Sequence, residues 1–207
     1  MLKAFITNLG KYNEGALVGE WISFPITQET LTAVLNRIGI GPEYEEYFFT
    51  DYECEVDGVY DVLGEYENVR ELNYLGHSLN ELGCDQSAFE AALSDHGARS
   101  IKELINLAGN LELFYYVPDI RTKSDLGEFL VDNDFLEVPE HLVNYIDYEA
   151  VGRDHLLDGG GALTDCGYVE FDGSTMDEIY DGEEIPEEYD IQPARAPTQE
   201  MQWSGGP

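Results

Sequence analysis

Carboxylates are the most abundant chemically capable groups in this chain, which has 43 Asp and Glu residues against 10 Lys and Arg. Carboxylates can act as general acids or bases, bind divalent cations, or accept the arginine and lysine contacts that a phosphate would accept. The formal net charge is −33 over 207 residues, and self-repulsion of that size destabilises a compact state. Adaptation to high salt and mimicry of a polyanion both remain open as explanations. A nucleic-acid ligand is excluded, because phosphates would be repelled.

Catalytic and metal-binding patterns are absent from the sequence. With this many carboxylates some pair always lies close enough to resemble an acid–base dyad, so such a pair is not evidence of catalysis. No GxSxG, Cys–His or Walker motif appears, and the three cysteines and four histidines show no metal-ligand spacing. The EF-hand spacing is missing from both "DNDFLEVPE" and "DGSTMDEIYDGEE". We therefore predict no catalytic residue, no metal and no cofactor; a carboxylate-based hydrolase is the enzyme alternative.

Two local clusters have simple structural interpretations. The glycine-rich "DGGGALTD" (158–165) lacks the lysine of a phosphate-binding loop, which predicts a turn into the last strand. His155 beside Arg153 and Asp154 predicts a cluster at a helix C-terminus, where cations are favoured.

The charge is spread over a body and a tail. From Asp172 onward there are ten acidic residues, Arg195 as the one basic residue, four prolines and little apolar periodicity. This composition predicts a flexible, disordered acidic tail over 172–207. Residues 1–171 retain 33 acidic and nine basic residues, so the predicted folded body is strongly acidic as well.

Apolar periodicity predicts an α+β fold in which three small units follow one another: an N-terminal α+β unit, a central all-helical unit and a C-terminal α+β unit. Such a series predicts an elongated molecule. The predicted ranges of the units are 1–62, 63–109 and 110–171. The predicted strands lie near 2–8, 18–24, 46–56, 111–117 and, as a pair, within 161–171. The predicted helices lie near 28–38, within 67–109 in pieces broken near Gly83 and Gly97, and near 124–134 and 140–152.

These elements place carboxylates on solvent-facing surfaces. In "EEYFFTDYECEV" a strand would put Asp51, Glu53 and Glu55 on one face, about 6.6–6.8 Å apart, and apolar residues on the other. The helix of "VRELNYLGHSLNEL" would bury its leucines and turn Glu71 and Glu81 outward. No apolar run approaches the ~18–20 residues of a membrane span, which predicts a cytoplasmic protein with no membrane contact.

The stretch "ITNLGKYNEGALVGEWISFPI" (6–26) closely resembles the N-terminal signature of the ArdA antirestriction proteins. Two further segments match in the expected order, "EYEEYFFTDYE" (43–53) and "VPEHLVNYIDYEAVGRD" (138–154). The similarity covers about residues 3–171. Within the signature we interpret Gly10 and Gly15 as turn residues that need positive φ, and Trp21 and Phe24 as core residues.

The resemblance implies a DNA mimic that is carried by mobile elements, forms an elongated three-part homodimer and acts in the host cytoplasm. It implies a partner, the methyltransferase core of type I restriction–modification enzymes, whose DNA-binding groove the mimic would occupy, thereby blocking restriction and, more variably, methylation. The candidate phosphate-mimicking carboxylates are Glu43, Glu45, Glu46, Asp51, Glu53, Glu55, Asp57, Asp61, Glu65, Glu67, Glu71, Glu81, Asp125, Glu128, Asp132, Asp134, Asp147 and Glu149. The candidate dimer contacts in the C-terminal unit are Phe114, Tyr115, Tyr116, Tyr145 and Arg153.

Two other function classes remain open from the sequence. A mimic of the same fold could be aimed at another DNA-binding defence complex or at a nucleoid protein. A salt-adapted structural protein could owe its acidity to solubility alone, and it would be expected to unfold at low salt.

Overall fold

The computed structural model describes residues 1–192 and contains two three-stranded antiparallel sheets surrounded by helices. The strands are β1 Leu2–Asn8, β2 Gly19–Phe24, β3 Tyr47–Cys54, β4 Phe114–Val117, β5 Ala162–Thr164 and β6 Gly167–Phe171. The α-helices are α1 Leu9–Asn13, α2 Gln28–Arg37, α3 Val69–Glu81, α4 Gln86–His96, α5 Ile101–Ala108, α6 Lys123–Asp132 and α7 Tyr148–Leu157. Short 3-10 turns cover Tyr60–Val62, Gly83–Asp85, Leu111–Leu113 and Glu140–Tyr145. The mixed α and β content confirms that part of the predicted fold class.

The first sheet has the strand order β2-β1-β3. Its central strand β1 alternates buried Leu2, Ala4 and Ile6 with half-buried Lys3 and Phe5, and then buries the polar Thr7 and Asn8 as well. A register shift falls between Phe5 and Ile6, so Thr50 on β3 is an extra residue in a β-bulge. The bulge lets Phe48 and Phe49 both be buried and restores the alternation beyond them, with Tyr52 buried and its acidic neighbours exposed.

The LGKYNEG stretch is a short helix rather than a simple turn. The Asn8 side-chain oxygen caps α1 by accepting from the Lys11 backbone N–H at 3.0 Å, and its amide group donates to Ile38 O at 3.1 Å. Gly15 has φ +86°, as predicted. Gly10 does not have positive φ; it lies inside α1, where a Cβ would collide with the Tyr44 ring.

Trp21 corrects another expectation from this signature. Phe24 is buried as predicted, but Trp21 is 40% exposed and packs edge-to-face on Phe5, at 5.5 Å between ring centroids. It faces solvent because β2 alternates, and Ile22 and Phe24 occupy the core positions.

The central helices confirm the predicted helical stretch and its breaks. However, one apolar core runs through the first sheet, α2 to α5, Phe114 and Val169. Asn73 on α3 is buried and accepts from Ile26 N at 2.7 Å, which joins α3 to the chain after β2. The predicted division into three units is therefore not confirmed.

The C-terminal part has a second, smaller core of Ile120, Leu126, Leu130 and Tyr168 between the second sheet and the α6–α7 pair. The sheet order is β4-β6-β5, and its last strand pair falls inside the predicted range. The predicted helix at 140–152 is wrong at its start: residues 140–145 form a 3-10 turn, and α7 begins after Asp147, whose side chain accepts from Ala150 N. Likewise β4 begins at Phe114, after the 3-10 turn.

Residues 172–192, which we call the C-terminal strap, contradict the prediction of a flexible tail from Asp172. Tyr180 and Ile191 of the strap are 2% and 4% exposed and belong to the main core. Asn106 on α5 accepts from Tyr180 N at 2.8 Å and donates to Tyr180 O at 2.9 Å. The strap docks because a few apolar side chains and backbone hydrogen bonds outweigh its acidic composition. The rest of the predicted tail, 193–207, lies outside the described residues.

Candidate functional site

The β3 carboxylates lie on one exposed face, as predicted from the alternation. Asp51, Glu53 and Glu55 are all exposed, whereas Tyr52 and Val56 are buried. Two of the three carboxylates already have cationic partners: Lys3 Nζ lies 2.9 Å from Glu53, and the N-terminal ammonium lies 2.7 Å from Glu55. The hydrogen bond from the N-terminus lowers the pKa of Glu55.

The segments that flank β3 carry further exposed carboxylates. Glu46 and Glu65 both lie near the start of this strand: Glu46 directly precedes β3 and its carbonyl accepts from Leu9 N, while the Glu65 carbonyl accepts from Phe49 N. Glu43, Glu45, Asp57 and Asp61 are also exposed. Glu67 differs, since its side chain accepts from Gly64 N at 2.8 Å.

On α3, the two predicted outward carboxylates, half-buried Glu71 and exposed Glu81, each accept a hydrogen bond from a strap tyrosine. Tyr180 Oη donates to Glu71 at 2.9 Å, and Tyr189 Oη donates to Glu81 at 3.1 Å. The hydrogen bond to Glu81 raises the pKa of Tyr189 to about 12. These carboxylates bind within the chain, a role that a helical pattern alone could not reveal.

In the C-terminal part, two candidates are helix caps. Asp125 forms a capping box with Thr122, and its hydrogen bonds from Thr122 and Arg121 lower its pKa. Asp147 caps α7. Glu128, Asp132, Asp134 and Glu149 are exposed, and Asp134 adopts φ +59° just after α6.

The candidate phosphate-mimicking carboxylates thus form two groups, according to whether the side-chain carboxylate already accepts a hydrogen bond or forms an ion pair within residues 1–192. Those that do are Asp51, Glu53, Glu55, Glu67, Glu71, Glu81, Asp125 and Asp147. The remaining candidates, which we call the free carboxylates, are exposed and make no such bond within this part of the chain. They are Glu43, Glu45, Glu46, Asp57, Asp61, Glu65, Glu128, Asp132, Asp134 and Glu149.

The strap adds exposed carboxylates that sequence reasoning assigned to a disordered tail. Glu183, Glu184, Glu187 and Glu188 are exposed on it. Their density was visible in the sequence, but only the burial of Tyr180 and Ile191 shows that they are held on the folded surface.

Five of the nine lysines and arginines in residues 1–192 form ion pairs with acidic side chains, whereas Lys11, Arg99, Arg121 and Lys123 form none there. Arg70 forms a two-point ion pair with Asp190 of the strap at 2.6 and 3.1 Å, which lowers the Asp190 pKa. Lys102 lies 2.6 Å from Glu178, also on the strap. The other side-chain ion pairs within residues 1–192 join Lys3 to Glu53, Arg37 to Glu20 and Arg153 to Asp154. The surface of residues 1–192 consequently carries ten free candidate carboxylates and four lysines or arginines without an ion pair.

The candidate dimer contacts differ in how much of each side chain is exposed. Phe114 is only 7% exposed and packs on Phe171, so it has little surface to offer a second chain. Tyr116 is partly buried and donates to Cys166 O at 2.7 Å. Tyr115 and Tyr145 are 49% and 83% exposed, and Arg153 is exposed while paired with Asp154.

One cluster of titratable groups is partly buried, and its geometry is structural. His155 Nε2 lies 3.0 Å from Tyr168 Oη, which donates to Glu170 at 2.7 Å. Tyr168 is 1% exposed, and burial raises its pKa, so it stays protonated and joins α7 to β6. The predicted helix-end role of His155 is thus incomplete, because its ring contacts the second sheet.

Two kinds of feature are absent from residues 1–192. No group of three or more His, Cys, Asp or Glu side chains there could hold a metal ion. None of the helices in this part of the chain is long and apolar enough to cross a bilayer.

A family model described as antirestriction protein (ArdA) matches residues 4–170. A search of curated proteins finds no match. The strap and the residues beyond it lie outside the matched region.

Proposed function

This chain belongs to the ArdA family of antirestriction proteins, and on that premise we propose that it is a DNA mimic that occupies the DNA-binding groove of type I restriction–modification enzymes. Family membership itself implies an antirestriction role, in which a non-catalytic protein acts on restriction–modification enzymes. The finer claim is that carboxylates of this chain take the arginine and lysine contacts that DNA phosphates would make.

The observation that carries the proposal is the excess of free carboxylates over cations: ten candidate carboxylates are free, whereas five of the nine lysines and arginines in residues 1–192 are paired with acids. Glu45, Asp61, Glu65 and Glu128 are exposed and make no side-chain bond within residues 1–192. Arg70 and Lys102, which would repel a basic groove, are paired with acids of the strap. A surface built in this way presents negative potential with little local compensation, which favours a cationic partner and speeds its association.

The amount of charge suits a long binding groove. Residues 1–192 contain 42 acidic and nine basic residues. Duplex DNA carries one negative charge per ~1.7 Å, so a dimer of this chain would carry the charge of on the order of 100 Å of duplex.

We place the dimer contact in the C-terminal part, at exposed apolar side chains. Tyr145 and Leu157 are 83% and 77% exposed. Tyr115, Phe129 and Phe135 form a row of rings with centroids 6.2 and 5.8 Å apart, and Phe135 is 64% exposed. Large exposed apolar side chains in one region indicate an interaction surface.

The dimer contact can be tested with one substitution. Tyr145→Glu should shift the molecule toward monomer in sedimentation analysis, because a buried unpaired charge opposes association. Tyr60→Glu is the matched control, since Tyr60 is 53% exposed but lies outside this region. Equal behaviour of the two variants would place the dimer contact elsewhere.

A competition assay tests the proposed function. A purified type I methyltransferase core would be mixed with a labelled duplex containing its recognition site, and this protein would be titrated at two salt concentrations. We expect loss of DNA binding near one dimer per enzyme, and weaker displacement at higher salt. Unchanged DNA binding, with normal cleavage and methylation, would reject this partner and favour another DNA-binding complex.

A further inference from the structure

An aromatic stack lies beside the free carboxylates of the first sheet. Phe48 on β3 is 5% exposed and holds a tyrosine ring on each side. Tyr12 of α1 packs edge-on at 5.1 Å between centroids, and Tyr66 packs nearly parallel, at 6.0 Å and an interplanar angle of 25°. We call Tyr12, Phe48 and Tyr66 the aromatic stack.

The two outer tyrosines of the stack are solvent-exposed although their positions are fixed by the fold. Tyr66 is 72% exposed and Tyr12 is 49% exposed. Backbone pairing fixes the Tyr66 segment, because Phe49 N donates to Glu65 O at 2.8 Å. Burial of aromatic surface is a large part of core and interface energies, so an ordered but open ring is available for a contact.

The charges around the stack determine which kind of side chain it would bind. The free carboxylates nearest to the stack in sequence are Glu65, which directly precedes Tyr66, and Glu46, which lies two residues before Phe48. The Glu65 carbonyl accepts from Phe49 N, so the Tyr66 segment lies along β3. The face of an aromatic ring is itself electron-rich and attracts cations. Ring faces and carboxylates together therefore favour a cationic side chain over an apolar or anionic one.

A neighbouring ring already shows this contact within the chain. Lys11 Nζ lies 5.6 Å from the centroid of the Tyr44 ring, and Tyr44 Oη donates to Glu14 at 3.1 Å. Among residues 1–192, no cation occupies Tyr12 or Tyr66 in this way. The exposed rings have the same chemistry as Tyr44 but an open face.

We propose that the aromatic stack is an arginine-binding point, at which guanidinium groups of a protein partner lie on the Tyr66 ring while their N–H groups reach Glu65 or Glu46. Arginine fits better than lysine, because its planar group stacks on an aromatic face and donates in its own plane to a carboxylate. The inference rests on the proposed function for the identity of the partner, a basic DNA-binding groove. Carboxylates alone also favour arginine, through its planar pair of donors, so the part of the preference that is lost with the Tyr66 ring is what identifies the stack.

The test uses peptides, so that it does not depend on any restriction enzyme. Binding of an octa-arginine and an octa-lysine peptide to the full chain would be measured by calorimetry. We expect wild-type protein to bind the arginine peptide more tightly. Tyr66→Leu should lower the affinity for the arginine peptide about two- to fivefold and lower the affinity for the lysine peptide less.

Two control variants distinguish loss of the Tyr66 ring from a general effect of substituting an exposed tyrosine. Tyr66→Phe keeps the ring face and should keep the arginine preference. Tyr60→Leu removes an exposed tyrosine outside the stack and should leave both affinities unchanged. Equal binding of the two peptides by wild-type protein, or an unchanged preference in Tyr66→Leu, would overturn the proposal.

The same variants in the DNA competition assay distinguish failure of the proposed restriction-enzyme partner from failure of the arginine-binding stack. If wild-type protein fails to displace DNA but shows an arginine preference that Tyr66→Leu reduces, the proposed partner is wrong and the stack is retained. If wild-type protein displaces DNA but Tyr66→Leu binds both peptides as wild type does, the mimic is retained and the stack is rejected.

Discussion

Arg70 and Asp190 form the least exposed side-chain ion pair of the described residues, with 30% and 21% of their side chains accessible. The pair joins α3 to the strap by two hydrogen bonds. Bidentate geometry and partial burial make it stronger than a pair on the open surface, such as Arg153 with Asp154.

Asp190→Asn should therefore lower the free energy of unfolding by about 1 kcal/mol at pH 7, measured by urea titration. The Asp190 pKa is lowered in the folded protein, so its stabilisation is present above the unfolded pKa of about 4 and is lost as the pH falls through the folded value. The difference between wild type and variant should accordingly shrink below pH 4. Asp154→Asn, at the exposed pair, should change stability by much less; equal losses would mean that the strap pair is no stronger than an open one.

Which carboxylates are free could not be predicted residue by residue. Alternation and helical spacing correctly indicate that Asp51, Glu53 and Glu81 face outward. Their partners, Lys3 and Tyr189, are distant in sequence and meet them only in the fold. Capping by Asp125 had a local signal, since Thr122 stands three residues before it, where a capping box begins.

At the scale of elements, the strap is the largest difference between expectation and structure. Its anchoring depends on Tyr180, which packs edge-on against Tyr74 at 5.5 Å and donates to Glu71. Tyr180→Ala should release the strap and lower the stability of the region by about 3 kcal/mol, because it removes a buried aromatic side chain.

Hydrogen exchange of the amides in 177–191 would measure that release, and the expected result is much faster exchange in the variant. Ile179→Ala is the control, because Ile179 is 46% exposed and loses little burial. Unchanged exchange in Tyr180→Ala would mean that the backbone bonds to Asn106 and Asn110 hold the strap without the ring.

Most strands and helices were predictable because local patterns agree with the fold. The first three strands, α2 and the central helices lie within a few residues of their predicted bounds, since alternation, apolar spacing and breaks at Gly83 and Gly97 specify them. The strap was not predictable, because its buried residues follow no period and its composition is that of a disordered segment. The start of α7 was missed although Asp147 is a favourable N-cap.

For the whole molecule, the net charge should affect folding and binding in opposite directions. Like charges repel within the monomer, so added salt should raise the stability of the isolated protein. Opposite charges attract across the proposed interface, so the same salt should weaken displacement of DNA. Thermal unfolding and competition, each measured between low and moderate NaCl, would test this pair of trends. Stability that falls with added salt would contradict self-repulsion as the main electrostatic term.

The central claim is that positioned free carboxylates, rather than net charge, stand in for phosphates. The most direct test compares two variants with the same change in formal charge. One neutralises four free carboxylates, Glu45, Asp61, Glu65 and Glu128, as the amides. The other neutralises four that pair with cations on the surface, Glu20, Glu53, Asp154 and Glu178.

Both variants would be checked for folding by circular dichroism and titrated in the DNA competition assay over a range of salt. The variant without the four free carboxylates should displace DNA less well and with a shallower salt dependence, because fewer carboxylates contact the groove. The second should lose less displacement than the first, since its acids are already paired within the chain and only the cations that they release would oppose the groove. Equal loss in the two variants would contradict the account and leave overall charge as the explanation.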